Sequence, residues 1–174
     1  MNEDRVRQEF TKAYDKFADA IFRHCYFRLS NRERAKEIMQ ETFIRVWDYA
    51  GRGNEIEFTK IKPLLYKTAS NLLIDEYRKN KNELSLDQLK EKGFEIAEDT
   101  KIAQKANENM EIEKIKEVLD TLDDKHREVI IMRYIDKLEP KEIAEAIGDT
   151  PNNVSVKINR GIKQIKKHIE DERN

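Results

Sequence analysis

LEPKEIAEAIGDTPNNVSVKINRGIKQIKKHI, residues Leu138 to Ile169, decides how this chain folds. It reads as a short helix, a tight turn and a longer helix. Leu138, Ile143, Ala144 and Ile147 fall on one side of the first helix. Gly148 follows directly, where a left-handed terminating residue is wanted and a Cβ would be penalised. Thr150 is placed to cap the next helix, and Pro151 takes its first position, where a missing N–H costs nothing. Val154, Ile158, Ile162, Ile165 and Ile169 recur at helical spacing and are expected to face the core. A turn of 100° per residue gathers Asn153, Val156, Arg160, Lys163 and Lys167 on the opposite side. Between Thr150 and Ile169 stand five lysines or arginines and no acid. A basic helical face alone is usually solvated surface. Joined to this turn chemistry it predicts a helix-turn-helix that offers its second helix to a DNA major groove.

The 174 residues suggest one domain or two small ones, and 40% of them are charged. Five glycines and three prolines among abundant Glu, Lys, Ile and Ala predict an all-α protein. The one cysteine, Cys25, excludes an internal disulfide and suits a reducing cytoplasm. The polar start MNEDRVRQEF resembles neither a signal peptide nor an anchor, and no apolar run approaches the roughly 20 residues that span a bilayer. The expectation is a cytoplasmic protein without membrane insertion. The net charge of −1 conceals an uneven distribution. Residues 1–82 carry 17 lysines and arginines against 13 acids, residues 83–113 carry 4 against 9, and residues 114–174 balance at 13 each.

Helical patterns run over residues 5–30, with Phe10, Ala13, Tyr14, Phe17, Ile21 and Phe22 on one stripe, and over 31–50, with Ala35, Ile38, Met39, Phe43 and Val46 buried and Asn31 as cap. Gly51–Asn54 opens a loop extending to about Phe58. A long helix is expected from about Lys60 to Lys81, with Ile61, Leu65, Thr68, Ala69 and Leu72 inward and Pro63 in its first turn. Periodicity fades over 82–110, where Leu84, Leu86, Leu89, Phe94 and Ile96 are too sparse for a core. It resumes from Ile112. The expected organisation is therefore two small helical domains, residues 5–82 and 112–170, joined by a flexible acidic linker over 83–111.

Two further faces exceed what a core requires. Glu37, Gln40, Glu41, Ile44 and Asp48 project opposite the buried stripe of their helix, an apolar centre with a polar rim, as protein interfaces have. Lys60, Lys67, Ser70, Asn71, Ile74, Arg78 and Lys81 are expected outward on the next helix. The cations there would follow a phosphate backbone, and Ser70 and Asn71 could read base edges. Phe58, Tyr66 and Tyr77 could stack on unpaired bases. No paired His or Cys spacing suggests a metal, and no glycine loop cradles a phosphate, so neither cofactor nor catalysis is expected.

With these motifs in view, the chain resembles a bacterial RNA polymerase sigma factor of the extracytoplasmic-function type, within the sigma-70 superfamily. AKEIMQETFIRVW (Ala35–Trp47) resembles that family's polymerase-binding segment, and LLYKTASNLLIDEYRK (Leu64–Lys79) its −10 recognition helix, with Asn71, Asp75 and Arg78 at the family spacing. Leu119–Ile165 resembles its −35-reading domain. The likeness covers roughly residues 10–82 and 112–169. It implies that the first domain is sigma region 2 and the second sigma region 4. It implies that Glu37, Gln40, Glu41, Ile44, Arg45 and Asp48 dock on core RNA polymerase, at the clamp helices of the largest catalytic subunit, while the second large subunit offers its flap. Lys60, Lys67, Ser70, Asn71 and Arg78 would engage a partly melted −10 element, and the Gly51–Phe58 loop would capture a flipped base. Asn152, Asn153, Val156, Lys157, Arg160 and Lys163 would face the −35 element. The acidic linker would thread the polymerase cleft, and an anti-sigma factor is an expected partner.

The chain departs from the family pattern at several positions. Lys36 and Glu37 replace a Glu-Asp pair, Leu64 stands for tryptophan, Thr68 for isoleucine, Asp149 for an apolar residue and Ser155 for a basic one. Gly161 stands where alanine is frequent, and is expected to loosen its turn by about 0.5–1 kcal/mol. The rival reading is a two-domain helix-turn-helix regulator that binds duplex DNA without polymerase.

Overall fold

Asn31 shows how closely local chemistry sets the helix boundaries. Its backbone is extended and its side chain accepts from the Arg34 N–H at 2.9 Å, which starts a new helix just after Ser30 turns the chain at a left-handed φ of 53°. The computed structural model describes residues 3–52, 56–86 and 104–173. They form α1 (Glu3–Leu29), α2 (Arg32–Gly51), a 3₁₀ turn (Phe58–Lys60), α3 (Ile61–Leu86), α4 (Gln104–Asp120), α5 (Asp124–Ile130), a π-helical turn (Ile131–Ile135), α6 (Pro140–Ile147) and α7 (Pro151–Arg173). Among the described residues there is no strand, so the all-α expectation holds.

Helices α1 to α3 pack together, with Ala35, Ile38, Met39, Phe43 and Val46 of α2 all buried as their spacing required. Cys25 lies fully inside, and burial pushes its thiol up to about 12, where it is inert. Helix α3 continues to Leu86 and α4 begins at Gln104, so both ends of the segment expected as linker are helical. Its centre, with Leu89, Phe94 and Ile96, lies outside the described residues, as do Gly53, Asn54 and Glu55 of the expected base-capturing loop.

The helix-turn-helix matches its sequence signals closely. Glu142 Oε2 accepts from the Glu139 N–H at 2.8 Å, which fixes the start of α6, with Pro140 as its first residue. Gly148 ends that helix at φ 70°, ψ 42°, and the Thr150 hydroxyl accepts from the Asn153 N–H at 3.2 Å. Leu138 is buried, though it precedes α6 rather than belonging to it. Val154 and Ile158 are buried, Ile162 and Ile165 half-buried, and Ile169 is 42% exposed. The expectation that all five face the core therefore fails at Ile169: the stripe outlasts the elements that could cover it.

Gly161 has a packing role that its sequence reading did not include. A Cβ there would meet Ile130 Cγ1 at 2.8 Å and Cδ1 at 3.1 Å, so α5 and α7 approach through this position. Packing favours the glycine here, against whatever it costs the turn.

The two helical groups do not stand apart. One continuous core runs through both, and α6 packs on α3. At the seam His24 Nδ1 of α1 lies 2.8 Å from Asp136 Oδ2, with both side chains wholly buried. A carboxylate only accepts, so Nδ1 carries the proton in this pair. The π turn sets it up: the Asp136 N–H reaches Ile131 O at 3.0 Å and the Leu138 N–H reaches Met132 O at 2.9 Å, around Lys137 at φ 59°. Further pairs cross the same seam. Arg28 Nη1 meets Glu128 at 2.7 Å, Lys62 Nζ meets Glu142 at 2.9 Å, and Lys116 Nζ donates to the Tyr26 hydroxyl at 2.8 Å.

Two stability predictions follow from this packing. His24→Leu leaves the Asp136 carboxylate buried without its partner and should cost about 3–5 kcal/mol, as should Asp136→Leu, while the double substitution recovers most of the loss. Urea unfolding of all four proteins checks this, and additive losses would show that the side chains act independently. Gly161→Ala should destabilise by about 1 kcal/mol, because crowding of Ile130 outweighs the helical gain; stability at or above the parent's would mean that Ile130 yields.

Candidate DNA and polymerase interfaces

Helix α7 presents the residues its sequence assigned to the groove. Asn152, Asn153, Val156, Arg160 and Lys163 are all exposed, as is Lys167. Val156 at 40% exposure is an apolar spot of the kind that meets a thymine methyl. Lys157 differs. It is half-buried, and its Nζ lies 2.6 Å from Asp149 Oδ2. Asp149 Oδ1 also accepts from Asn153 Nδ2 at 3.0 Å and from the Thr150 N–H at 2.7 Å. Bonds from Lys157, then Asn153, then the Thr150 amide hold this carboxyl down to about 2. Asp149 was visible in the sequence only as a departure from a family pattern; the structure makes it the centre of a small network.

On α3 the expected −10 residues divide. Lys60, just before the helix, and Lys67, Asn71 and Arg78 within it are exposed. Lys60 pairs with Glu57 at 2.7 Å, and Arg78 lies 3.9 Å from Asp75. Ser70 is only 2% exposed, which corrects its outward assignment. Tyr66, Ala69, Ser70 and Leu73 form a second buried stripe at spacings of three and four, because α3 packs against α1, α2 and α6 at once. Tyr66 lies in that stripe, 1% exposed and edge-on to His24 at 5.3 Å. Burial, and then the carboxylates of Asp136 and Glu142 among its neighbours, push its phenol pKa up. Tyr77 donates its hydroxyl to Arg28 O and carries the Arg28 guanidinium over its ring. Of the three aromatics expected to stack on bases, Tyr66 is closed in and Tyr77 is engaged, while Phe58 is half-buried.

On α2 the expected docking face is exposed: Glu37, Gln40, Ile44, Arg45 and Asp48 stand in solvent, with Glu41 half-buried beside them. Ile44 is 59% exposed at its centre. Arg45 reaches back to Glu41 at 2.7 Å, and Arg34 ties Glu37 at 2.6 Å while forking onto Glu76 of α3 at 2.8 and 2.6 Å. That fork holds the Glu76 carboxyl below its usual range and pins α2 to α3. Sequence reasoning missed what lies beside this face. Phe10, Tyr14, Phe43 and Trp47 line an apolar groove with Gln40 and Ile44, the rings meeting edge-to-face at 4.8–6.1 Å. The signal was present in Trp47 and in α1, whose aromatics outnumber the places available in a core.

One chain thus carries a helix-turn-helix with a basic exposed face, a second helix with exposed cations and an apolar-centred face rimmed by charge, a combination that suits a DNA-binding protein working with a partner protein. Comparison with known proteins identifies the class. A Sigma-70 region 2 model matches residues 13–83, and a Sigma-70 region 4 model matches residues 112–165. The ECF RNA polymerase sigma factor SigW of Bacillus subtilis is 32% identical over 170 residues, covering 93% of this chain and 89% of the relative. SigM of the same organism is 27% identical over 158 residues, covering 88% and 90%. The solved structure of RpoE from Bartonella quintana in complex with the anti-sigma factor NepR shares the fold at a TM-score of 0.71 and 14% identity, covering 94% of this chain and 98% of that one. CnrH in complex with the cytosolic domain of CnrY does so at 0.69 and 16%, covering 93% and 88%. The chain belongs to the extracytoplasmic-function sigma factors of the sigma-70 family, and it directs RNA polymerase to promoters. Among the described residues no helix is long and apolar enough to cross a membrane.

The docking face generates a direct test. Glu41→Lys reverses a charge beside Ile44 and should weaken binding of the labelled full chain to core polymerase about tenfold, roughly 1.4 kcal/mol. Thermal unfolding should stay within about 0.5 kcal/mol of the parent, since the residue pairs only at the surface. Unchanged polymerase affinity would mean that the interface lies elsewhere.

Proposed function

We propose that the chain works as a three-point bridge between core RNA polymerase and promoter DNA. The α2 face from Glu37 to Asp48 docks on the clamp helices of the largest catalytic subunit, with the adjoining aromatic groove taking an apolar side chain of that partner. Lys60, Lys67, Asn71 and Arg78 follow the −10 element. Asn152, Asn153, Val156, Arg160 and Lys163 enter the major groove at the −35 element, with Lys157 beside them held back by Asp149, while the second domain meets the flap of the other large subunit. In this reading residues 5–82 are the polymerase-binding and −10 domain, and residues 112–170 the −35 domain. The chain performs no chemistry of its own, and the polymerase supplies catalysis.

The observation that carries this reading is the simultaneous exposure of three chemically distinct faces on α2, α3 and α7, in the order that the two matched sigma regions require. A regulator that bound duplex DNA alone would have no use for the α2 face. Work beside polymerase places the protein in the cytoplasm. The structural relative RpoE was solved with the anti-sigma factor NepR, which supports an anti-sigma factor as a regulator of this chain too.

Run-off transcription with core polymerase, with and without the protein, should give product only with it, and only from templates holding paired −35 and −10 elements. A promoter-independent product, or none, would overturn the bridge.

A further inference from the structure

Asp149 occupies the turn of the helix-turn-helix, and its carboxylate is bonded to two side chains of α7 and to the next backbone amide. Its side chain is 17% exposed and takes three bonds, from Lys157, Asn153 and the Thr150 amide. Two of those partners belong to the face that meets DNA in the proposed function, and the inference rests on that reading of α7.

An Asn side chain offers a carbonyl acceptor on one side and an amino donor on the other. Free in solvent it can flip and present either. Beside a carboxylate it cannot, because the flipped form would set the Oδ1 lone pairs against the Asp149 oxygen. With its carboxyl held near 2, Asp149 stays ionised and has no proton to offer, so the Asn153 amide must donate to it.

We propose that Asp149 is a specificity-setting residue of the −35 surface: by holding the Asn153 amino group, it turns the Asn153 carbonyl oxygen toward the groove, where it selects a base that donates, adenine through N6 or cytosine through N4. The carbonyls of guanine and thymine meet an acceptor at that position and are rejected. The same carboxylate also withdraws Lys157, whose ammonium would otherwise add a phosphate contact. Asp149 thereby trades a non-specific attraction for a fixed polarity. It acts through Asn153 and touches no base itself.

The test is selection from a duplex pool randomised over the −35 element, using holoenzyme assembled from core polymerase and the full chain. The parent should enrich adenine or cytosine at one position, and the base enriched identifies which amino group is read. Asp149→Ala should lower that preference about tenfold while the other positions keep theirs. Asn153→Ala should lose the same preference, and adding Asp149→Ala to it should change nothing more. Asp149→Asn, which keeps an acceptor for the Thr150 amide but lets the Asn153 amide flip, should broaden the same position if the alanine variant folds poorly. Freeing Lys157 should steepen the salt dependence of promoter binding by about one unit of log K per log salt. An Asp149→Ala protein that keeps the parent's preference, or that loses every position alike, would sink the assignment. So would enrichment of guanine or thymine at the position lost in Asn153→Ala. A parent holoenzyme that enriches no −35 sequence would remove the reading of α7 itself.

Discussion

The pair formed by His24 and Asp136 is the contact on which the arrangement of this molecule depends. Two ionisable groups with no exposure are expensive to remove from water, and their attraction offsets that cost only in good geometry. The geometry here comes from a local distortion. The π turn inserts one extra residue into the end of α5, which swings Asp136 toward α1 and lets Leu138 drop into the core ahead of α6. Apolar contacts alone would tolerate sliding of α6 along α3; a buried polar pair does not, because each displacement breaks the His24–Asp136 contact and leaves both groups without a partner. Arg28–Glu128 and Lys62–Glu142 then fix the same register at the edges of the seam.

That register decides which functional surfaces are open. The α2 face and the α7 face point away from the seam and remain exposed. Helix α3 is divided: Lys67, Asn71 and Arg78 stand in solvent, whereas Tyr66 is closed in by the contact between the halves. A buried tyrosine cannot stack on a base. In the docked arrangement α3 therefore offers cations and one amide, which suits backbone contact better than capture of an unpaired base.

How much of this was legible in the sequence depends on the range over which each constraint acts. Asn31, Gly148, Thr150 and Pro151 announced their turns because capping is decided within four residues. The buried stripe of α2 was readable because that helix is covered on one side only. Helix α3 defeated the same reasoning: with buried arcs on two sides, Ser70 and Tyr66 look outward in a single-stripe projection and are not. Gly161 was read as a weak helix former because its real constraint, the Ile130 side chain, comes from another element. His24 and Asp136 are 112 residues apart and look alone in the sequence. No periodicity announces a partner at that distance, nor a π turn that exists to reach it.

The electrostatics of α7 connect these observations to how such a molecule binds. Of the five cations between Thr150 and Ile169, Lys157 is held by Asp149, leaving Arg160, Lys163, Lys166 and Lys167 exposed. Even if all four met phosphates, counterion release would make binding fall about a hundredfold between 50 and 200 mM salt. With a net charge of −1 for the whole chain, such a helix adds only a salt-sensitive attraction. In the proposed bridge the affinity comes from the other end, where the Ile44 face and its aromatic groove offer apolar area whose burial against a partner salt would not screen. A reader that contributes little attraction is free to contribute discrimination. In that arrangement a carboxylate is tolerable in the turn beside the proposed DNA-facing surface.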